Sequence, residues 1–273
     1  MKRASEEARS GPFGRVVLVT GGTGSLGRQL VPRLRAAGWQ TRVMSRHGGD
    51  VQADLRTGVG LSEAVAGVST IIHAATSPIR QARQTDIEGT GRLLEAAAQG
   101  GVTNFVYPSI VGIERVPGYP YYQVKLAVEE LIQKGRVPWT ILRATQFHDL
   151  LPDRMLPALG ALGVVILGRG WQIQPVDPRD VADALVAAAA AAGGRLPDFG
   201  GPEITTWDRI ARDWLRAKGS RRPVLTLPLP GGFSRAVAAG GLLAPEGRLG
   251  TITWRQWLLE RTNVDVPGPP LRR

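Results

Sequence analysis

The chain has 273 residues, of which 34 are Lys or Arg and 23 are Asp or Glu, so its formal net charge is +11. A chain of this length can bury a large core, and its content of 43% hydrophobic and 21% charged residues excludes global disorder. The absence of Cys excludes a disulfide scaffold, thiol catalysis and Cys-ligated metal sites. The three His show no paired spacing, so we expect no metal site.

Targeting and membrane signals are weak throughout the sequence. Residues 1–14 are polar and mixed in charge, which predicts a flexible tail rather than a signal peptide. The longest apolar-leaning run, 155–167, is interrupted by Pro157 and is too short to span a bilayer. A Cys-free chain fits a reducing compartment, and we expect a cytoplasmic protein.

The net charge raises the question of nucleic-acid binding. The basic residues are almost all Arg and are dispersed along the chain, without a block of five or more. We therefore expect no nucleic-acid partner. The excess is largest in residues 195–273, where it could attract an anionic ligand or partner or could simply be solvated.

In chain order, short apolar runs alternate with helical patterns. Strands are predicted at 15–20, 41–45, 51–55, 69–74, 104–109 and 139–144. Between them, Leu26, Leu30 and Leu34 mark a helix that ends at Gly38, and further helices are predicted at 61–66, 85–99 and 121–134. This alternation predicts an α/β protein with a doubly wound parallel sheet of the Rossmann type.

The pattern is less regular after Gln146. A strand at 171–176 and helices at 180–192 and 207–218 are predicted among segments rich in Pro and Gly. We predict a cofactor domain over 15–147 and a small C-terminal substrate lobe over 148–273, with 171–194 returning to the main sheet.

A glycine-rich turn joins the first strand to the first helix. Gly21, Gly24 and Gly27 recur at three-residue intervals, as is typical of a turn that lets the backbone approach a pyrophosphate. The free N–H groups of the following helix would bind the phosphates. The predicted cofactor-binding residues of this turn are Gly21, Thr23, Gly24, Ser25, Leu26 and Gly27.

The end of the second strand indicates which dinucleotide binds. Sites for NAD have Asp or Glu there, whereas this chain has Ser45-Arg46. A guanidinium can bind a 2′-phosphate with charge-assisted hydrogen bonds, so we predict NADP(H) in preference to NAD(H). Further cofactor contacts are predicted from Asp54, for the adenine amino group, its neighbour Leu55, and His73, Ala74 and Ala75 after the fourth strand.

The arrangement of three candidate catalytic residues indicates that the protein reduces a carbonyl group. Tyr121 and Lys125 are four residues apart on one helix, and Ser109 ends the fifth strand. A phenol can donate a proton to a developing alkoxide, an ammonium nearby favours the phenolate, and a hydroxyl can orient the substrate oxygen. Tyr119 and Tyr122 are neighbouring alternatives, but Tyr122 is only three residues from the lysine.

These motifs resemble the short-chain dehydrogenase/reductase superfamily, in its atypical, NmrA-like branch of NAD(P)H-binding proteins. The resemblance covers about residues 15–210 and includes the glycine turn, the Ser/Tyr/Lys set and the stretch 138–148. It implies a Rossmann-type domain, a C-terminal substrate lobe and reductase activity. The chain departs from extended relatives where they have Asn-Val-x-Gly-Thr, since it has Asp86-Ile-Glu-Gly-Thr90 and so lacks the anchoring Asn.

Three functions follow as hypotheses. The first is an NADP(H)-dependent oxidoreductase that reduces a carbonyl, quinone or activated double bond in a small, largely apolar molecule. The second is a non-catalytic NADP(H)-binding redox sensor or cofactor-holding subunit, and the third is a nucleotide-sugar epimerase or dehydratase. His148 could reach a substrate or be a structural histidine, and Trp171, Trp254 and Trp257 could line a pocket or pack in the core. The sequence leaves monomer or homo-oligomer undetermined.

Overall fold

A computed structural model describes residues 15–77, 82–150, 152, 163–190 and 192–264. The protein is α/β, with a large parallel sheet of nine strands and flanking helices, which confirms the predicted Rossmann-type fold class. The predicted N-terminal tail 1–14 lies outside the described residues.

The first of the strands is a run of buried, mostly β-branched residues, as is typical of a strand covered on both faces; the others follow in chain order. They are β1 (Val16–Thr20), β2 (Gln40–Ser45), β3 (Val51–Gln52), β4 (Thr70–His73), β5 (Asn104–Ile110), β6 (Trp139–Ala144), β7 (Val165–Gly168), β8 (Gln172–Ile173), β9 (Gly194–Arg195), β10 (Phe199–Gly200), β11 (Thr205–Thr206), β12 (Val224–Leu227) and β13 (Arg248–Leu249).

The helices follow the apolar periodicity of the sequence, and Leu26, Leu30 and Leu34 form the buried face of the first. They are α1 (Ser25–Ala36), α2 (Leu61–Val65), α3 (Gly89–Gln99), α4 (Pro120–Lys134), α5 (Pro178–Ala189), α6 (Trp207–Ala217), α7 (Gly232–Ala238) and α8 (Trp254–Thr262). The helix predicted from residue 85 begins as a π-helical turn, Arg83–Glu88, before α3.

The chain divides into two compact units. The first comprises Met1–Pro108, Ala127–Ile141 and Ala182–Leu196, and the second comprises Ser109–Leu126, Leu142–Val181 and Pro197–Arg273. The second unit therefore takes in residues well before 147, where the sequence suggested a boundary. The predicted division into a cofactor domain and a substrate lobe stays a prediction.

In the first unit the strands lie in the order β6-β5-β4-β1-β2-β3, and β9 also pairs with β6. Val17 of β1 is in register with Thr41 on one side and Thr70 on the other, both in parallel pairs. Its core contains Leu18, Ile71 and Phe105, all fully buried. The carboxyl ends of β1 and β4 consequently lie side by side, as Thr20 and His73 are partners in register.

In the second unit β10 pairs with the end of β6 and with β13. The strand predicted at 171–176 is shorter than expected. Of the segment 171–194, which was predicted to return to the main sheet, residues 182–194 belong to the first unit, and Gly194 pairs with Thr140 of β6. β8 pairs antiparallel with β11 in a separate two-stranded sheet, and Pro175 has no N–H for a ladder. Only Val176 bridges to the segment after β6, at Phe147.

Candidate functional site

The glycine-rich turn is closed so tightly that side chains would not fit. Gly21 has a φ of +69°, and a Cβ there would lie 2.7 Å from the backbone of Ala74 and Ala75. A Cβ on Gly27 would lie 2.2 Å from the carbonyl oxygen of Gly21. The glycines at these two positions are thus required by sterics, as the motif predicts.

Helix α1 begins at this turn without a side-chain cap. Gly24 is the N-cap, has no side chain to cap the helix, and is followed by a first turn without an acidic residue. Thr23 is exposed, Ser25 is half-buried, and Leu26 is buried. An uncapped helix start with a positive dipole end suits an anionic group, so the turn fits the pyrophosphate of a dinucleotide.

A cation and a carboxylate follow β2 and β3. The Arg46 side chain is exposed, and its backbone carbonyl accepts a 2.8 Å hydrogen bond from Gln52. Asp54 accepts a 2.8 Å hydrogen bond from the backbone N–H of Arg56. That bond lowers the pKa of Asp54, and the charges of Arg56 and Arg46 lower it further.

The residues beside this pair have local roles. The Ser45 hydroxyl is 3.3 Å from both the backbone N and the backbone O of His47. Leu55 is buried and packs against Gly89, where a Cβ would lie 2.9 Å from that of the leucine. Arg46 and Asp54 are thus both charged groups at this edge, and their contacts with a 2′-phosphate and an adenine amino group stay predictions.

His73 lies at the centre of a buried polar network. Its Nδ1 is 2.7 Å from the Thr20 hydroxyl, and its Nε2 is 2.9 Å from the Thr90 hydroxyl. The ring stacks on Tyr107 at 5.9 Å. Both ring nitrogens of His73 are therefore within hydrogen-bonding distance of a threonine hydroxyl. The next two residues, Ala74 and Ala75, are half-buried and lie beside the glycine turn.

Asp86 anchors the segment after β4. This carboxylate is 2% exposed and accepts hydrogen bonds from the Thr76 hydroxyl at 2.5 Å and the Ser77 backbone N–H at 2.9 Å. The Thr90 hydroxyl also donates to its carbonyl oxygen. A carboxylate thus provides polar anchoring for this segment of the chain.

The three catalytic candidates belong to the second unit. Ser109 is buried, and its hydroxyl has no hydrogen-bond partner among the described residues. Tyr121 and Lys125 lie one turn apart on α4. Tyr121 is half-buried, and Lys125 is only 5% exposed.

The neighbouring tyrosines differ from Tyr121 in their surroundings. Tyr119 is exposed and contacts Tyr122 edge to face, with ring centroids 4.7 Å apart. Burial raises the pKa of Tyr122 above its usual value, and the neighbouring Tyr119 and Tyr121 raise it further. A phenol whose ionisation is disfavoured is a poor proton donor, so Tyr122 does not suit catalysis.

His148 and the tryptophans have packing roles. His148 is fully buried, with Nε2 3.1 Å from the Pro175 carbonyl oxygen and Nδ1 3.6 Å from an Asp177 carboxylate oxygen. Trp254 and Trp257 stack in the core of the second unit, at 5.1 Å. The Trp171 N–H donates to the Ser234 hydroxyl at 2.9 Å.

Metal-ligand groups and membrane-spanning helices are both absent from the part of the chain that the structure describes. No three His, Asp or Glu side chains are grouped as metal ligands would be. Nor does any helix there have the length and apolar character needed to cross a membrane.

Residues 21–192 match a family model described as NAD(P)H-binding. This match begins at the first glycine of the turn and covers more than half of the chain. It includes all of the predicted cofactor-binding and catalytic residues.

Two relatives of similar sequence are named for different activities, one as an assembly factor and the other as a reductase. The chain is 26% identical to Photosystem II assembly factor Ycf39 of Trieres chinensis over 181 residues, which is 61% of this chain but only 57% of that protein. It is 30% identical to a (4-alkanoyl-5-oxo-2,5-dihydrofuran-3-yl)methyl phosphate reductase of Streptomyces griseus over 205 residues, or 70% of each protein.

A solved structure supports the fold. A short-chain dehydrogenase/reductase superfamily protein of Agrobacterium tumefaciens, with bound NAD, superposes with a TM-score of 0.70. The sequence identity is 24%, and the superposition covers 91% of this chain and 96% of that one.

Proposed function

Because the chain belongs to the NAD(P)H-binding family, we propose that it is an NADP(H)-dependent oxidoreductase that reduces a carbonyl, quinone or activated double bond in a small, largely apolar molecule. The observation that carries this proposal is the burial of Lys125 one helical turn after Tyr121. Lysine is rarely buried, because an ammonium loses its hydration there. A buried lysine beside a tyrosine suits a phenol that must give up a proton.

NADP(H) is the proposed cofactor. The residues that would hold it are the backbone of the glycine turn, the N-terminus of α1, Arg46 and Asp54. When bound, it supplies the hydride that adds to the substrate and leaves as the oxidised nucleotide. The exposed guanidinium of Arg46, in place of the carboxylate of NAD sites, favours the 2′-phosphate.

The catalytic roles follow from the chemistry of the side chains. The Ser109 hydroxyl donates a hydrogen bond to the substrate oxygen and fixes its position. Tyr121 transfers its phenolic proton to that oxygen as negative charge develops, and Lys125 stabilises the phenolate that remains. Solvent then returns a proton to Tyr121, so the substrate gains a hydride and a proton.

This proposal is tested by following NADPH oxidation by its ultraviolet absorbance over a panel of ketones, quinones and enones. The expected result is turnover of at least one class, with NADPH preferred over NADH. Tight NADPH binding without turnover of any class would contradict it.

A second candidate is a cofactor-holding subunit that assists a larger complex. The similarity to proteins named as assembly factors favours this alternative. It predicts NADPH binding without turnover, together with a stable partner recovered by affinity purification. The oxidation assay therefore separates the two candidates.

A further inference from the structure

Gln146 is a buried amide whose hydrogen-bonding groups are unused. It follows β6 by two residues and is 7% exposed. Neither its side-chain nitrogen nor its side-chain oxygen has a hydrogen-bond partner among the residues that the structure describes. A buried donor and acceptor without partners are costly, so such an amide calls for a specific explanation.

A second buried glutamine in the same unit shows the ordinary arrangement. Gln174 is 2% exposed, and its Nε2 donates to the Gly201 carbonyl oxygen at 2.8 Å. Its Oε1 accepts from the backbone N–H of Ala244, also at 2.8 Å. The amide of Gln174 is used to join segments of the fold, and that of Gln146 is not.

The backbone around Gln146 is fixed on both sides. Its carbonyl oxygen accepts a 2.9 Å hydrogen bond from Val176, and the His148 N–H donates to the Val176 carbonyl at 2.9 Å. On the other side, the Thr145 hydroxyl accepts a 3.2 Å bond from the Gly201 N–H. The position of the Gln146 backbone is therefore held by hydrogen bonds with two other segments.

A second polar side chain without a partner among the described residues lies on the adjoining strand. The Ser109 hydroxyl is buried and also lacks a partner in the described part of the chain. Val111, two residues later, donates to the Ala144 carbonyl at 3.0 Å, so β5 and β6 are joined near their carboxyl ends. Ligands of α/β proteins bind at this end of parallel strands.

We propose that Gln146 determines substrate specificity, and this rests on the proposed function. An amide can donate through Nε2 and accept through Oε1, so both atoms are paired only by a ligand that offers an acceptor next to a donor. A bare ketone would leave Oε1 unpaired. The substrate class is therefore a carbonyl compound with a hydroxyl or N–H group beside the carbonyl, which is reduced by hydride addition at carbon and protonation at oxygen.

The test compares two ligands of nearly equal shape, α-hydroxyacetophenone and propiophenone, in which a hydroxyl replaces a methyl group. Their affinities are measured by calorimetry in the presence of NADP⁺ for the wild type, Gln146→Met and Gln174→Met. The wild type is expected to prefer the hydroxyl compound by about tenfold to a hundredfold, since a buried amide is otherwise left unpaired. Gln146→Met should abolish this preference, and Gln174→Met should retain it.

Thermal unfolding of the free proteins adds an independent readout. Gln146→Met should leave the melting temperature unchanged or raise it, because it removes an unpaired buried amide, whereas Gln174→Met should lower it. Equal affinity for the two ligands, binding of neither, or a preference that survives Gln146→Met would overturn the inference. If the protein turns over a substrate but shows no preference for the hydroxyl compound, the role of Gln146 is contradicted and the proposed function is not. If it shows the preference but turns over no substrate, the proposed reductase activity is contradicted.

Discussion

The Thr20 hydroxyl lies 2.7 Å from Nδ1 of His73, which joins the last residue of β1 to the last residue of β4. The same hydroxyl accepts a 3.1 Å hydrogen bond from the backbone N–H of Ala75. The glycine-rich turn starts at the next residue, Gly21, whose Cα faces the backbone of Ala74 and Ala75 too closely for a Cβ. This buried contact thus holds the two segments from which the cofactor turn is built.

Replacement of His73 by Leu should destabilise the protein, because the Thr20 and Thr90 hydroxyls each lose one hydrogen bond inside the core. We expect the free energy of unfolding to fall by about 2–4 kcal/mol, measured by urea denaturation. The matched control is His47→Leu at an exposed position, which should change it by less than about 0.5 kcal/mol. Similar losses in both variants would contradict a structural role for the network.

Gly27→Ala should weaken cofactor binding by at least about tenfold, since a steric conflict that displaces the turn by an ångström disrupts its hydrogen bonds. The new Cβ would meet the Gly21 carbonyl oxygen at 2.2 Å. In Gly91→Ala, a change within α3, the Cβ would meet Leu131 at an ordinary 3.7 Å, so affinity should be unchanged. Fluorescence titration with NADPH measures both, and full affinity in Gly27→Ala would show that the turn does not hold the cofactor.

Arg46→Ala should raise the Kd for NADPH by about tenfold to a hundredfold, as expected for loss of charge-assisted hydrogen bonds to a phosphate. The Kd for NADH should not change, because that nucleotide has no 2′-phosphate. Arg35→Ala, another exposed arginine, provides the control for a general loss of positive charge. An unchanged ratio of the two affinities in Arg46→Ala would contradict the preference for NADP(H).

The pH dependence of stability should report on Asp177, which is buried and forms two hydrogen bonds with the Arg179 side chain, at 3.0 and 2.9 Å. Burial alone would raise its pKa, but His148 and Arg179 outweigh this effect and hold the pKa well below its usual 3.8. A carboxyl whose pKa is lowered by folding stabilises the native state above the unfolded value, and this contribution is lost as the pH falls.

Asp177→Asn should therefore be less stable than the wild type at pH 7, and the difference should shrink once the pH falls below about 4. Denaturant unfolding at a series of pH values measures this difference. Asp183→Asn is the control, since Asp183 is largely exposed and its 2.8 Å pair with Arg33 should contribute little at any pH. A difference for Asp177→Asn that is constant with pH would show that the carboxylate charge does not stabilise the fold.

Patterns within short stretches of the sequence correctly predicted the features of the fold that depend on residues close together in the chain. The β-branched run of β1 and the leucine spacing of α1 determine buried faces directly, and the glycine spacing predicts a turn without room for side chains. The strand predicted at 171–176 extends only over Gln172–Ile173, and its pairing depends on Thr205 and Thr206, more than thirty residues away. Such pairing leaves no signal in the local pattern.

The same limit applies to the candidate site. His73 was predicted as a cofactor contact from its position after β4, whereas its ring contacts depend on Thr20 and Thr90 from other elements. The anchoring role of Asp86 and the unpaired amide of Gln146 also arise only in the folded chain. No spacing in the sequence distinguishes Gln146 from Gln174. In the described part of the chain, however, both amide atoms of Gln174 are paired and neither of those of Gln146 is.

The role of Tyr121 as the proton donor in an NADPH-dependent reduction is tested by the kcat of Tyr121→Phe, measured together with its affinity for NADPH. Loss of a general acid should lower kcat by at least about a hundredfold, while the Kd for NADPH stays unchanged. Tyr122→Phe, the buried neighbour, should retain activity. Full turnover by Tyr121→Phe on the substrate of the wild-type protein would contradict the account.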